Sequence, residues 1–236
     1  MKAHIEHYRN LWLLDTEAER QLAIAQTPLE IVAGVAEGGL HVHLARFAGR
    51  IEELLSSTFP LSDFARARAI FQTTNPKPGY DLLERMYADG QRPGDCAYEL
   101  AVQTARENDP EALQWAKRGI AAGKIECNAL FGFLLAGRED HSSALPHFAL
   151  SLPTDDPVIH RGFGLSLRTF GDFSNAEKAF RLAVDFGLPE ALLPLAGTQH
   201  MLGQTSLAQM TLLEAVRHHI PGAEGIYSRH VPVYTA

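Results

Sequence analysis

Alanine recurs at Ala112, Ala144, Ala176 and Ala208, in equal steps of 32 residues. Four residues beyond each stand Ala116, Phe148, Phe180 and Leu212, and seven beyond stand Gly119, Ser151, Ala183 and Ala215. Positions i, i+4 and i+7 lie on one face of a helix, so each alanine marks a helix with a small, large, small stripe. Twelve residues before each alanine come Leu100, Gly132, Gly164 and Ala196, preceded by Glu99, Phe131, Phe163 and Leu195. These belong to a second helix, with a small residue where another helix must approach closely. Several columns in one register are hard to produce without a structural repeat, and self-similarity at this period signals a stacked array.

The connections agree with that register. Phe170-Gly171-Asp172-Phe173-Ser174 and Leu202-Gly203-Gln204-Thr205-Ser206 each offer a glycine to end one helix and a hydroxyl residue to cap the next. In the first unit Asn108-Asp109-Pro110 supplies Asp109 as an expected N-cap and Pro110 as an expected first helical residue. Pro157, Pro189 and Pro221 share the 32-residue spacing, and proline is tolerated in the first turn of a helix because that N–H has no partner there anyway. The unit reads as proline, helix, turn, helix. The expected architecture is all-α, a solenoid of stacked antiparallel helix pairs.

Arg161-Gly162-Phe163-Gly164, Leu167, Gly171-Asp172-Phe173, Ala176, Phe180, Ala183 and Pro189 resemble a tetratricopeptide repeat. That family favours an apolar-glycine pair, a Gly-Asp-aromatic turn, alanine, an aromatic, alanine and a closing proline at these intervals. The segment PEALQWAKRGIAAGK is also similar to the related Sel1-like repeats, whose units are longer. The family period is 34, against 32 here, and its large early aromatic is replaced by Cys96, Asn128, His160 and Leu192. The register divides 93–220 into four units, 93–124, 125–156, 157–188 and 189–220. Residues 1–92 hold helix-compatible runs near 4–14, 16–26, 42–57, 61–73 and 80–89, and read as degenerate repeats or as a cap covering the apolar end of the stack. Residues 221–236 lack helical periodicity and read as a tail folding back onto the stack.

The resemblance implies a superhelix with a concave groove faced by the first helix of each pair. Carried over position by position, it places Glu126, Ala129, Phe133, Ala136 and Gly137 on that groove. Val158, Arg161, Leu165, Arg168 and Thr169 follow, then Glu190, Leu193, Gly197, His200 and Met201. Phe133, Arg161, Leu165, Arg168, Leu193, His200 and Met201 are the expected partner-binding residues. Arg161 and Arg168 are seven residues apart and share a helical face, and an arginine fork beside apolar side chains suits an acidic or carboxylate-ending peptide. The competing reading pairs both arginines with Glu126 and Glu190.

Function classes narrow accordingly. The formal net charge of -7 provides no general positive field for nucleic acid or anionic lipid. The opening residues lack an unbroken apolar stretch of the signal-peptide kind, no stretch is long enough to span a bilayer, and a cytoplasmic protein is expected. Cys96 and Cys127 form no metal or redox motif and are expected as reduced, packed thiols. Among the eleven histidines, His41-x-His43, the His4 and His7 pair and His218-His219 lack the carboxylates and spacing of a metal centre. No glycine-rich phosphate loop or nucleophile elbow occurs, and Ser142-Ser143 suit a helix start. The adjacent carboxylates Glu52-Glu53 and Asp155-Asp156 diverge on a helix rather than forming an acid-base pair. The sequence therefore points to a non-enzymatic scaffold or adaptor binding another protein, without cofactor or metal. A dedicated chaperone for an exported or aggregation-prone client, a peptide- or ligand-sensing regulator, and an enzyme with its site in 1–92 stand as alternatives.

Overall fold

A computed structural model describes residues 17–38, 44–107 and 110–230. The expectations placed on His4, His7, His41, His43, Asp109 and residues 231–236 lie outside them. Among the described residues there are fourteen α-helices and no strand, and within each unit most helices pack on their neighbours in sequence, while Leu29–Gly38 packs most on Asp63–Ile70. None of them is long and apolar enough to cross a membrane.

The chain forms two compact units, 1–122 and 123–236. In the first are α1 (Glu17–Ala25), α2 (Leu29–Gly38), α3 (Ala48–Ser56), α4 (Asp63–Ile70), α5 (Lys77–Ala88), α6 (Pro93–Arg106) and α7 (Glu111–Ala121). Val32, Val35 and Ala36 of α2 meet Leu44, Phe47, Ile51 and Leu54 in its core, with Ala65 and Ala69 of α4. The stretch forming α2 is absent from the expected helical runs although Leu29, Val32, Ala33 and Ala36 follow helical spacing; Ile31, Gly34 and Val35 between them make it apolar on most sides and blur that stripe. The expected first repeat, 93–124, falls almost wholly in this unit, where α6 packs on both α5 and α7.

A buried ion pair also ties the first unit together. Arg68 of α4 and Glu99 of α6 approach to 2.9 Å with side chains only 3% and 6% exposed, and Arg68 Nη1 donates to the Ala36 carbonyl at 2.8 Å. Three helices thus share one charge-assisted junction. Removing one partner leaves the other charge buried, so Glu99→Ala should destabilise by about 3–5 kcal/mol in chemical denaturation.

The second unit contains three hairpins and a closing helix. They are α8 (Glu126–Ala136) with α9 (His141–Leu150), α10 (Pro157–Phe170) with α11 (Phe173–Asp185), and α12 (Leu192–Met201) with α13 (Thr205–Arg217), followed by α14 (Ala223–His230). Within each hairpin the helices pack closely, and α9 packs on α10 as α11 does on α12. Gly171 ends α10 at φ 90° and Gly203 follows α12 at φ 75°, the left-handed conformation that glycine adopts without penalty. The caps differ from expectation. Asp172, not Ser174, stands at the N-cap and accepts from the Asn175 amide, as Asp140 accepts from Ser143 in the hairpin before, while Gln204, not Ser206, precedes α13 and makes no side-chain cap. Asp172 stands just before the first helical residue, whereas Ser174 already lies inside the helix, and hydrogen bonds from the free amides hold both aspartates below the usual aspartate range. Pro157 opens α10, whereas Pro189 opens a 3-10 turn that leads into α12.

Residues 223–230 form a helix where the sequence shows no periodicity. Ala223 is fully buried with Leu192, Ala215 and Ile220, so tertiary packing overrides the weak local pattern around Gly222 and Gly225. The alanine column behaves as one environment in both units: Ala112, Ala144, Ala176 and Ala208 are 1%, 0%, 0% and 5% exposed. Ala176→Leu must overpack this contact and should cost about 1–3 kcal/mol in thermal or urea unfolding. Lys178→Leu, on the exposed side of α11, should be nearly neutral; equal tolerance at both sites would contradict the helix faces described here.

Candidate functional site

In the second unit the alanine stripes of α9 and α11 direct an aromatic ring at a glycine on the preceding helix. A methyl group at Gly132 would stand 3.2 Å from the Phe148 ring, and one at Gly164 would stand 2.9 Å from Phe180. These glycines are fixed by close approach. Gly162 is held in the same way, because Phe133 and Phe148 both press on its Cβ position. His160, Gly164 and Leu167 fill a second buried side of α10, and Ser166, four residues on from Gly162, is buried on the side of that glycine. His160 replaces an early aromatic, lies against Phe186 with ring centroids 5.4 Å apart, and has Nε2 2.7 Å from the Thr154 carbonyl oxygen. The remaining side of α10 faces outward. There Val158, Arg161 and Thr169 are exposed and Leu165 and Arg168 half-buried.

All seven expected binding residues belong to this unit, but they divide into two kinds. Phe133 is partly a packing residue, edge-to-face with Phe148 at 4.9 Å and wedged against Gly162. Leu165 packs beside Phe180, Leu167 and Leu195, and Leu193 beside Leu192 and Ala215. Arg161, His200 and Met201 are open to solvent, Met201 at 62%. Arg168 lies between these extremes, with its guanidinium carbon 5.9 Å from the centre of the Phe180 ring.

Neither Arg161 nor Arg168 forms an ion pair among the described residues, and Glu126 instead meets Lys124 at 3.2 Å. The expected alternative pairing of Arg161 and Arg168 with Glu126 and Glu190 is not formed. This face therefore carries two cations with no ion-pair partner among the described residues, bordered by apolar groups.

Beside them lies an apolar pocket of about 190 Å3 between α12, α13 and α14, reached past Leu193, Gly197 and His200 and floored by Ala196, Ala208 and Leu212. It escaped the sequence reading because its wall is completed by Ile226 of α14. A cleft of about 530 Å3 in the first unit runs past Tyr87 and Trp115, but the guanidinium of Arg118 already covers the indole at 4.3 Å. Among the described residues no three His, Cys, Asp or Glu side chains gather as a metal site. Both cysteines are buried, and burial pushes the Cys96 thiol up to about 11, which keeps it protonated and unreactive.

No protein-family model matches the chain, and no curated protein matches it. Among solved structures it is similar to one titled MamA AMB-1, at 14% identity over 80% of this chain and 95% of that one. The TM-score is 0.36, too loose a likeness to carry an argument.

The glycines themselves distinguish packing from surface. Gly162→Ala meets the Phe133 and Phe148 rings and should destabilise by about 1–3 kcal/mol. Gly197, within α12, has only Arg168 Nη1 at 3.9 Å from its Cβ position. Gly197→Ala should be neutral or stabilising by up to about 1 kcal/mol, read as a change in denaturation midpoint at unchanged slope.

Proposed function

We propose that this protein is a non-enzymatic interaction scaffold, and that the outward face of α8, α10 and α12 binds an acidic or carboxylate-ending segment of a partner protein. The observation that carries this reading is the pair of unpaired arginines on α10. Arg161 and Arg168 lie two helical turns apart on one side and have no carboxylate partner among the described residues. A guanidinium offers a planar fork of donors that matches a carboxylate in two parallel hydrogen bonds. Leu165, Leu193 and Met201 lie on the same side of their helices and offer apolar contact to a peptide's side chains. Paired helices sharing one core favour this use, because their packing fixes the face before a ligand arrives and so lowers the ordering cost of binding.

Replacing both arginines by glutamate tests the reading, since both side chains lie outside the buried stripe and the fold should survive. The tagged protein and its double variant are used to capture partners from native lysate, with bound species identified by mass spectrometry. Circular dichroism should be unchanged while the acidic partner disappears from the variant. Identical capture by both proteins would reject the arginine face as the binding surface.

A further inference from the structure

We infer that the pocket under Gly197 receives one apolar side chain, aromatic or branched, from the partner peptide, at a residue that also carries or adjoins a carboxylate held by Arg168. The inference rests on the acidic-segment reading above and names what that segment must contain. It follows from the repeat register. Phe133 of α8 packs on Phe148 of α9 and presses on Gly162 of α10. Two periods later, 64 residues on, the same three positions are Gly197 of α12, Leu212 of α13 and Ile226 of α14. Those three residues line the pocket together.

The cavity is therefore the place a side chain at 197 would occupy, and with glycine there no side chain of the described residues fills it. Leu165 fills the same register position one period earlier and packs beside Phe180. Gly197 differs from Gly132, Gly162 and Gly164 in having no ring against its Cβ position. Packing does not require glycine there, and access to the pocket does. A volume of about 190 Å3 is small for a whole metabolite, whereas a cavity of ~150 Å3 accommodates a benzene ring. The ligand chemistry is set by the wall and the rim. Ala196, Ala208, Leu212 and Ile226 demand an apolar group. Arg168 Nη1, 3.9 Å from the Cβ position of Gly197, supplies the complementary charge at the entrance.

The test uses the full chain and two labelled synthetic peptides of identical acidic sequence, one ending in phenylalanine and one in alanine, both with free carboxylates. By fluorescence anisotropy the phenylalanine peptide should bind about tenfold or more tightly than the alanine peptide. Gly197→Phe and Gly197→Leu, which restore the side chains found at 133 and 165, should raise the melting temperature. They should also erase the preference for phenylalanine. Arg161→Glu with Arg168→Glu should weaken both peptides equally. Equal affinity of the two peptides for the native chain overturns the pocket assignment, as does a lowered melting temperature in both Gly197 variants. If the arginine reversals change neither peptide while Gly197→Phe still erases the preference, the acidic-segment reading fails and the pocket stands.

Discussion

The contact on which the second unit depends is an aromatic ring laid against a glycine. Phe148 on Gly132 and Phe180 on Gly164 bring the two helices of a hairpin close enough that no side chain fits between them. At the equivalent positions elsewhere the sizes trade places in Leu100 with Ala116 and are shared more evenly in Ala196 with Leu212. Every member of these four pairs is buried. A close-packed interior penalises both a void and an excess methylene, so holding the summed volume of each pair nearly constant preserves the packing while the sequence varies. The spacing of 32 residues is thus the visible trace of one repeated steric solution.

That solution also decides which side chains remain available. Once the ring has settled on its glycine, the buried side of α10 is fixed as His160, Gly164 and Leu167, and Arg161 and Arg168 are left outward. The face needs no separate device to form. Its charge arises because the helix cannot turn without driving Gly164 off Phe180, so exposed Arg161 and half-buried Arg168 have no freedom to exchange their positions for a buried partner. The first unit satisfies a similar constraint differently. In the column that holds Phe131, Phe163 and Leu195 elsewhere, it has Glu99, and α4 answers with Arg68.

How much of this was legible depended on whether the signal was periodic. The alanine column, the small residues at close helix contacts and the turns at Gly171 and Gly203 follow from spacing alone, whereas the outward position of Arg161 comes from the family resemblance. Glu99 stood in an apolar column and was the one sign of a buried ion pair, but its partner lies in α4, where no register leads. Helix α2 is apolar on most sides, and α14 carries Gly222 and Gly225; both exist because of what they bury, which a single sequence does not display. Counting two periods on from Gly162 reaches Ile226, and that step would have completed the pocket wall. The caps were missed for a smaller reason: aspartate and serine are both good N-caps, and only the turn geometry chooses between them.

The arginines and the pocket are unequal contributors to binding. The chain as a whole is acidic, with a formal charge of -7, so its long-range field does not draw an acidic peptide inward. Screening confines what remains to about 8 Å at physiological ionic strength. An exposed ion pair with Arg161 then yields about 0–1 kcal/mol, whereas removing a ring or branched side chain from water yields about 1.5–3 kcal/mol. Affinity must come mainly from the apolar group, and the cations act at short range to orient it. Arg168 is suited to that role because it is half-buried over Phe180, beside the mouth of the pocket, where its position is already determined before the ligand arrives. A charge held still next to a cavity selects which end of a peptide enters; a charge on a free surface does not.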